Sequence, residues 1–295
     1  MDANFSGQDI MIFLFGENGQ VAREVITAAA SSQIPLKPCS SEAVNFLNPD
    51  DVRRVVDSLP EGTTIINAAA YTQVDQAEND SIAARQINAL TPEVIARTCR
   101  DRGLNLIHLS TDYVFNGEKP GPYIEDDPSQ PLGVYGATKR EGEELILQSL
   151  PRAIILRTSW VFSAHGKNFV KTMLRLGSQR SELSVVADQH GGPTSAASIA
   201  KTCLLLAQQN AFEQGGIYHY SGAPQTTWHG FAEAIFRQAR LPVTVHPIPT
   251  SDYPTPARRP TNSVLDCSRI QSVFGIAQPN WKEDLSTVLS CLQGS

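Results

Sequence analysis

An apolar run ending at Phe15 passes into Gly16-Glu17-Asn18-Gly19-Gln20-Val21-Ala22 and then into sequence with helical spacing. That GxxGxxA turn constrains the fold of this chain more than any other segment. Its glycines let the backbone turn tightly and approach a pyrophosphate, while the helix behind them presents N–H groups and a positive dipole end to the anion. Ala22 is the small residue that lets helix and strand pack closely. A lone glycine-rich turn is a weak sign, but this one closes the first strand and opens a helix, the position it takes in a dinucleotide-binding unit. Gly16 and Gly19 are therefore candidate cofactor-binding residues.

Apolar runs at 10–15, 64–70, 104–110 and 153–158 each end in a turn containing Gly, Asn or Ser, and 36–40 is the weakest strand of the series. Between them, 20–30, 83–102 and 138–148 have helical spacing. Apolar strands alternating with helices imply a parallel sheet covered on both faces. The expected fold class is α/β: a Rossmann-type doubly wound parallel sheet with a smaller α/β substrate-binding region. Beyond about residue 160 the texture is less regular, with helices expected at 169–177, 196–209 and 228–240 and strands at 183–186 and 216–220. Residues 242–260 hold six of the chain's 19 prolines and read as an extended loop. The expected organisation is a dinucleotide-binding domain over 1–160, with a return of the chain at about 195–215, and a mainly substrate-binding region over 161–295.

With 295 residues, 41% of them hydrophobic, the chain can bury a sizeable core. A formal net charge of -6 argues against nucleic acid or an anionic membrane as partner, while leaving room for a local basic pocket. No apolar run approaches the ~20 residues that span a bilayer, and residues 1–10 lack the basic and apolar regions of a signal peptide. A cytoplasmic protein is expected. The cysteines at 39, 99, 203, 267 and 291 form no CxxC pair, so buried thiols are expected rather than a metal site or disulfides.

Tyr135 and Lys139 stand at i,i+4, which puts both side chains on one face of a helix. They follow a strand ending in Ser110-Thr111-Asp112, whose hydroxyl points into the crevice where ligands of such sheets bind. A phenol, an ammonium and a hydroxyl together suit carbonyl reduction. The phenol holds its proton at neutral pH, the ammonium is expected to tune it downward, and Thr111 hydrogen-bonds the substrate oxygen or the tyrosine. At the end of the second strand an acidic residue would favour NAD, but Lys37-Pro38-Cys39-Ser40-Ser41 has none. NADPH or NADH is expected, with room for the extra phosphate of NADP.

Several further segments carry a family resemblance: Asn67-Ala68-Ala69-Ala70-Tyr71-Thr72-Gln73-Val74-Asp75, Ser110-Thr111-Asp112-Tyr113-Val114-Phe115, Val134-Tyr135-Gly136-Ala137-Thr138-Lys139, Arg157-Thr158-Ser159-Trp160-Val161, Gly192-Pro193-Thr194 and Tyr253-Pro254-Thr255-Pro256-Ala257-Arg258-Arg259-Pro260. With the glycine-rich turn they make the chain resemble bacterial dTDP-4-dehydrorhamnose reductases over nearly its full length. That resemblance implies Gly19, Gln20 and Val21 at the cofactor diphosphate, Asn45 and Phe46 at its adenine, and Ala70, Tyr71 and Thr72 at its ribose and nicotinamide. It implies Tyr135 as proton donor, Lys139 at the nicotinamide ribose, Thr111 and Asp112 on the sugar of a dTDP-sugar substrate, and Trp160 packed against it. Arg258 and Arg259 are candidates for the substrate diphosphate, which a fork-shaped cation suits. Some members bridge a dimer with magnesium on glutamates. Glu24 matches one such position and Ala197 departs from another, so a metal is doubtful and the oligomer is a monomer or homodimer.

Other features have plainer readings. His108 is expected as a hydrogen-bonded core residue, Asn88 as a bridge between backbone groups, and Glu125-Asp126-Asp127 as a solvated turn. His190 follows Asp188-Gln189 near the substrate region. A 4,6-dehydratase would carry Asp-Glu directly after the active-site threonine, and Asp112-Tyr113 stands there instead. A sibling 4-ketoreductase of different epimer specificity, or a non-catalytic NADP-binding regulatory subunit, are the remaining alternatives.

Overall fold

The inner strands of the main sheet alternate in the face they bury. The computed structural model describes residues 11–209 and 211–293. In β1 (Ile12–Phe15), Ile12 and Leu14 face one layer and Phe13 and Phe15 the other. β2 (Leu36–Cys39), β3 (Thr64–Asn67), β4 (Asn105–Thr111), β5 (Ile154–Thr158) and a sixth strand, Gly216–His219, complete an all-parallel sheet. Its order is β2, β1, β3, β4, β5 and then the sixth strand. The helices Gln20–Ser31 and Ala196–Gln208 cover one face, and Pro49–Asp57, Thr91–Arg102 and Val134–Ser149 the other. The doubly wound α/β expectation is met. Since β1 is followed by β2 on one side and the chain returns to β3 on the other, the order reverses there, and a crevice opens at the strands' C-terminal ends.

A third core gathers Phe162, Val170, Met173, Phe231, Phe236 and Trp281 away from the sheet. The proline-rich stretch departs from expectation here. Its first part, Thr244–Ile248, is a strand paired in parallel with Glu182–Val186. Pro247 lacks an N–H but lies in a two-stranded pair, where one side of the strand needs no ladder bond. Residues 196–220 and 264–276 contribute Ile199, Leu206, Tyr218, Leu265 and Ile270 to the core of the main sheet. Four α-helices go beyond the sequence reading, Pro49–Asp57, Val74–Ala77, Ser268–Phe274 and Trp281–Gln293.

The helical run expected over 83–102 is a helix Ser81–Arg85, a π turn Gln86–Leu90 and a helix Thr91–Arg102. Pro92 has no N–H to give the Asn88 carbonyl, which removes one i→i−4 bond and lets the turn widen. Gly142 of the neighbouring helix fits against that carbonyl, where a Cβ would come within 2.1 Å. Asn88 is thereby turned inward.

Four cysteines are buried, but Cys291 is exposed on the outer face of the last helix. The acidic turn is also not simply solvated. Glu125 is buried, accepting the His219 N–H at 3.0 Å, and Arg269 reaches both Glu125 and Asp126 while Lys119 takes Asp127.

Arg157 of β5 and Glu143 form a two-pronged ion pair, at 2.6 and 2.9 Å, with both side chains almost wholly enclosed. Removing one partner strands a buried charge, so Glu143→Ala is expected to cost about 3–5 kcal/mol. Urea unfolding at neutral pH checks this. A loss below 1 kcal/mol would mean that the arginine finds water.

Candidate active site

Gly16 adopts φ +97°, and a Cβ there would lie 2.8 Å from the Ala69 amide nitrogen and 2.9 Å from the Ala68 carbonyl carbon. The turn after β1 thus touches the segment after β3 backbone to backbone. Gly19 caps the helix Gln20–Ser31 without a side chain, so the first-turn N–H groups face the crevice with nothing of their own to bind. This is the cradle an anionic diphosphate requires. Gly16→Ala is expected to abolish dinucleotide binding by pushing the 68–69 backbone outward, measured as loss of NADPH fluorescence enhancement. Retained affinity would show that the turn is not the diphosphate site.

Gln20 Oε1 accepts from Ser163 Oγ at 3.1 Å and Asn168 Nδ2 at 2.9 Å, tying the helix start to the second region. Asn45 is exposed beyond β2, and Phe46 packs edge-on against Phe15 with centroids 5.2 Å apart. Asn88 clamps Tyr71 from both sides, accepting its N–H at 2.9 Å and donating to its carbonyl at 3.2 Å, and also donates to Thr138. The backbone-bridging reading of Asn88 holds. Thr72 is exposed beside Tyr71.

Thr111 ends β4 and caps the turn Asp112–Val114, accepting the Tyr113 N–H and donating to Asp112 Oδ1 at 3.1 Å. The same hydroxyl is near enough to the Tyr135 phenol to oppose the rise of its pKa. Thr111 thus lies between phenol and carboxylate. Tyr135, Thr111, Asp112 and Trp160 line one cavity of about 190 Å³, together with Ser110, Thr158 and Trp228. Among the described residues, four buried side-chain polar atoms have no partner, and three of them, Ser110 Oγ, Asp112 Oδ2 and Thr158 Oγ1, belong to residues of this wall. An unmade buried hydrogen bond costs about 1–3 kcal/mol, so these atoms mark a wall made for a polar ligand.

Burial pushes the Tyr135 phenol up to about 12, with the Asp112 carboxylate adding to the rise and Thr111 opposing it. Lys139 Nζ is held by the Leu109 carbonyl at 2.7 Å and His108 Nε2 at 3.0 Å. The lysine itself is wholly buried, and burial brings it down to about 8 against the pull of Glu143. Burial also raises Asp112 to about 6. His108 is buried between Asn67 and Lys139, as a core residue should be.

Trp160 has φ +46° and stacks on Trp228 with ring centroids 3.6 Å apart. Trp228 borders a second, larger cavity of about 770 Å³, lined also by Phe169, Met173, Arg180, Gln189 and Tyr253. The sequence reading gave none of these a place in a substrate cavity, because they come from separate segments that only the fold brings together. Arg259 lines the large cavity, but its guanidinium grips Asp75 at 2.8 and 3.0 Å and the Ala257 carbonyl. Arg258 is exposed. His190 is exposed too, its backbone bridging to 261 and 263. Glu24 lies 3.7 Å from His165, and among the described residues no group of three or more His, Cys, Asp or Glu side chains is arranged to hold a metal.

A dinucleotide cradle at a parallel sheet's switch point, with a Tyr-x-x-x-Lys helix beside it, defines the extended short-chain class of nicotinamide-dependent reductases. Residues 10–293 match the family described as the RmlD substrate binding domain. A dTDP-4-dehydrorhamnose reductase of Burkholderia thailandensis is 42% identical over 288 residues, covering 92% of this chain and 95% of that protein. The reductase of that name from Clostridium acetobutylicum superimposes with a TM-score of 0.91 at 34% identity, over 96% of this chain and 100% of that one. One from Bacillus anthracis, solved in complex with NADP, gives 0.90 at 34% identity, over 96% and 99%. The chain belongs to the dTDP-4-dehydrorhamnose reductase family.

Proposed function

We propose that this protein reduces the C4 ketone of dTDP-4-dehydro-β-L-rhamnose to dTDP-L-rhamnose with NADPH or NADH, Tyr135 giving the proton. The observation that carries the reading is the set of unpartnered Ser110, Asp112 and Thr158 oxygens around the Tyr135 cavity, a wall that suits a hydroxyl-rich ring. The family's relatives act on such a sugar by name, and one was solved with NADP.

The cofactor's diphosphate fits the Gly16–Gly19 turn and the uncapped helix behind it, with Gln20 and Val21 at the first turn. Asn45 and Phe46 would hold its adenine, and Ala70, Tyr71, Thr72 and Lys139 its nicotinamide half. Bound NAD(P)H supplies the hydride. This chain's residues supply everything else. Carbonyl reduction needs a proton on the developing alkoxide, and a phenol kept protonated by burial is a store of that proton at the cavity wall. Thr111 fixes the phenol's direction. Asp112 accepts from a sugar hydroxyl, and Trp160 with Trp228 forms an apolar platform that excludes water from one side. Trp228 joins the two cavities, so the nucleotide of the substrate extends into the larger one, where Arg180 offers a cation and Phe169 and Tyr253 offer ring faces.

The test follows NADPH oxidation with dTDP-4-dehydrorhamnose made in situ by an upstream dehydratase and epimerase. Turnover is expected. Turnover of a different 4-keto sugar alone would reassign the protein to a sibling reductase, and no turnover by folded, cofactor-bound protein would leave a binding role.

A further inference from the structure

Lys139 is held by a line of buried polar groups whose donors and acceptors can be counted. Asn67, at the end of β3, accepts the Ala69 N–H on Oδ1 at 3.1 Å, so its Nδ2 faces His108 Nδ1 at 3.0 Å. An amide nitrogen only donates. His108 Nδ1 is therefore the acceptor, and the neutral ring carries its proton on Nε2, 3.0 Å from Lys139 Nζ. Turning the Asn67 amide over would set its Nδ2 against the Ala69 N–H, two donors facing each other. An imidazolium fails on the same count, and burial pushes this ring well below its ordinary value. With an N–H aimed at it, Nζ must accept. Only a free-base amine can do so, its own N–H going to the Leu109 carbonyl at 2.7 Å.

We propose that His108 and Asn67 are positioning residues that fix the ring as its Nε2–H tautomer and so hold Lys139 as a neutral amine. For what the lysine then does, this rests on the reductase reading above. Making Lys139 an ammonium requires Nε2 to accept, so the ring proton must move to Nδ1 and the Asn67 amide must turn over, breaking its bond to Ala69. The charge on Lys139 is thereby coupled to the 68–70 backbone that packs on Gly16. A ligand that accepts the Ala69 N–H from the crevice frees Asn67 to turn, and admits the charged form.

The groups around Nζ leave this balance close. Glu143, one turn along the same helix, favours the ammonium but is shared with Arg157 of β5. Tyr135, one turn before, is a neutral phenol. From the helical run alongside, Asn88 is uncharged and spent on Tyr71 and Thr138, and Arg85 pairs with Glu141 at the surface. Burial brings Lys139 to about 8, and a ring N–H aimed at Nζ acts in the same direction.

The test reads the tautomer directly. In unliganded protein labelled with 15N-histidine, long-range proton–nitrogen spectra at pH 7 should show His108, assigned by its loss in His108→Gln, with the proton on Nε2. The Nδ1–H tautomer, or an imidazolium, overturns the proposal. Asn67→Asp offers an acceptor to both Ala69 and a ring Nδ1–H, so the tautomer should reverse and the kcat–pH limb set by Lys139 should rise by on the order of one unit. A merely structural Asn67 would lower kcat and leave the limb in place, and that result also overturns the proposal. Should Asn67→Asp not fold, the wild-type spectrum decides alone. The spectrum needs no substrate, so a failed sugar assay and a wrong tautomer are separate results.

Discussion

Tyr135→Phe is expected to lower kcat by about 10²–10⁴-fold with little change in the affinity for NADPH. The phenol's only chemical part in the proposed reaction is its proton. Burial, with Asp112 adding to the effect, keeps that proton on oxygen up to about 12, so at neutral pH essentially every molecule carries the donor. Phenylalanine keeps the ring and its edge contact with Tyr113, whose centroid is 5.9 Å away, and so preserves the helix start. Deleting the hydroxyl leaves Thr111 bonded to Asp112, so the cavity wall survives and the loss falls on the chemical step. Single-turnover hydride transfer at saturating sugar is the measurement that separates chemistry from binding. A variant that transfers hydride as fast as wild type would remove Tyr135 as proton donor. A loss confined to KM would make it a substrate contact.

How much of this was legible in the sequence depends on the distance over which each signal acts. Gly16 and Gly19 speak locally, through backbone geometry that only glycine takes easily, and the turn is where they say it is. Strands β1, β3, β4 and β5 are continuous apolar runs, so their order along the chain already implies the parallel sheet. The helix Pro49–Asp57 carries a start signal, since Asn48 caps it by accepting the Asp50 N–H and Pro49 needs no partner. Trp281, Leu285, Val288 and Leu289 likewise carry the helical period of the final helix. The strand Thr244–Ile248 is different: its prolines hide it, and only its partner Glu182–Val186 makes it a strand. The spacing of Tyr135 and Lys139 announced a pair on one face, but not that Nζ would be claimed by His108 and Leu109, residues some 30 positions earlier. The large cavity was invisible for the same reason. Arg180, Trp228 and Tyr253 come from separate segments that only the fold sets around one cavity.

Asp112→Asn is expected to stabilise the fold at neutral pH while weakening substrate binding. Asp112 is buried, and burial raises it from its ordinary 3.8 to about 6 even though Ser263, Thr111 and nearby backbone groups act to lower it. A raised carboxyl pKa means that the folded state holds the proton more tightly than the unfolded chain does. The cost to stability is therefore absent below about 3.8, grows between 3.8 and 6, and is complete above 6. Two pKa units correspond to about 3 kcal/mol. Asparagine keeps an oxygen for Thr111 and puts an uncharged amide where Oδ2 now has no partner. Urea unfolding of wild type and variant at pH 4, 5, 6 and 7.5 should show the variant gaining about 1–3 kcal/mol at pH 7.5 and nothing at pH 4. A gain independent of pH would locate its cause outside the titration, and a loss at pH 7.5 would mean the carboxylate is stabilised by groups that burial does not outweigh. In the proposed complex the same substitution removes a charged acceptor from the sugar, a contact of about 1.5–3 kcal/mol, so KM should rise roughly 10- to 100-fold. A more stable and less effective enzyme is the pattern expected when a buried charge is kept for its ligand rather than for the fold.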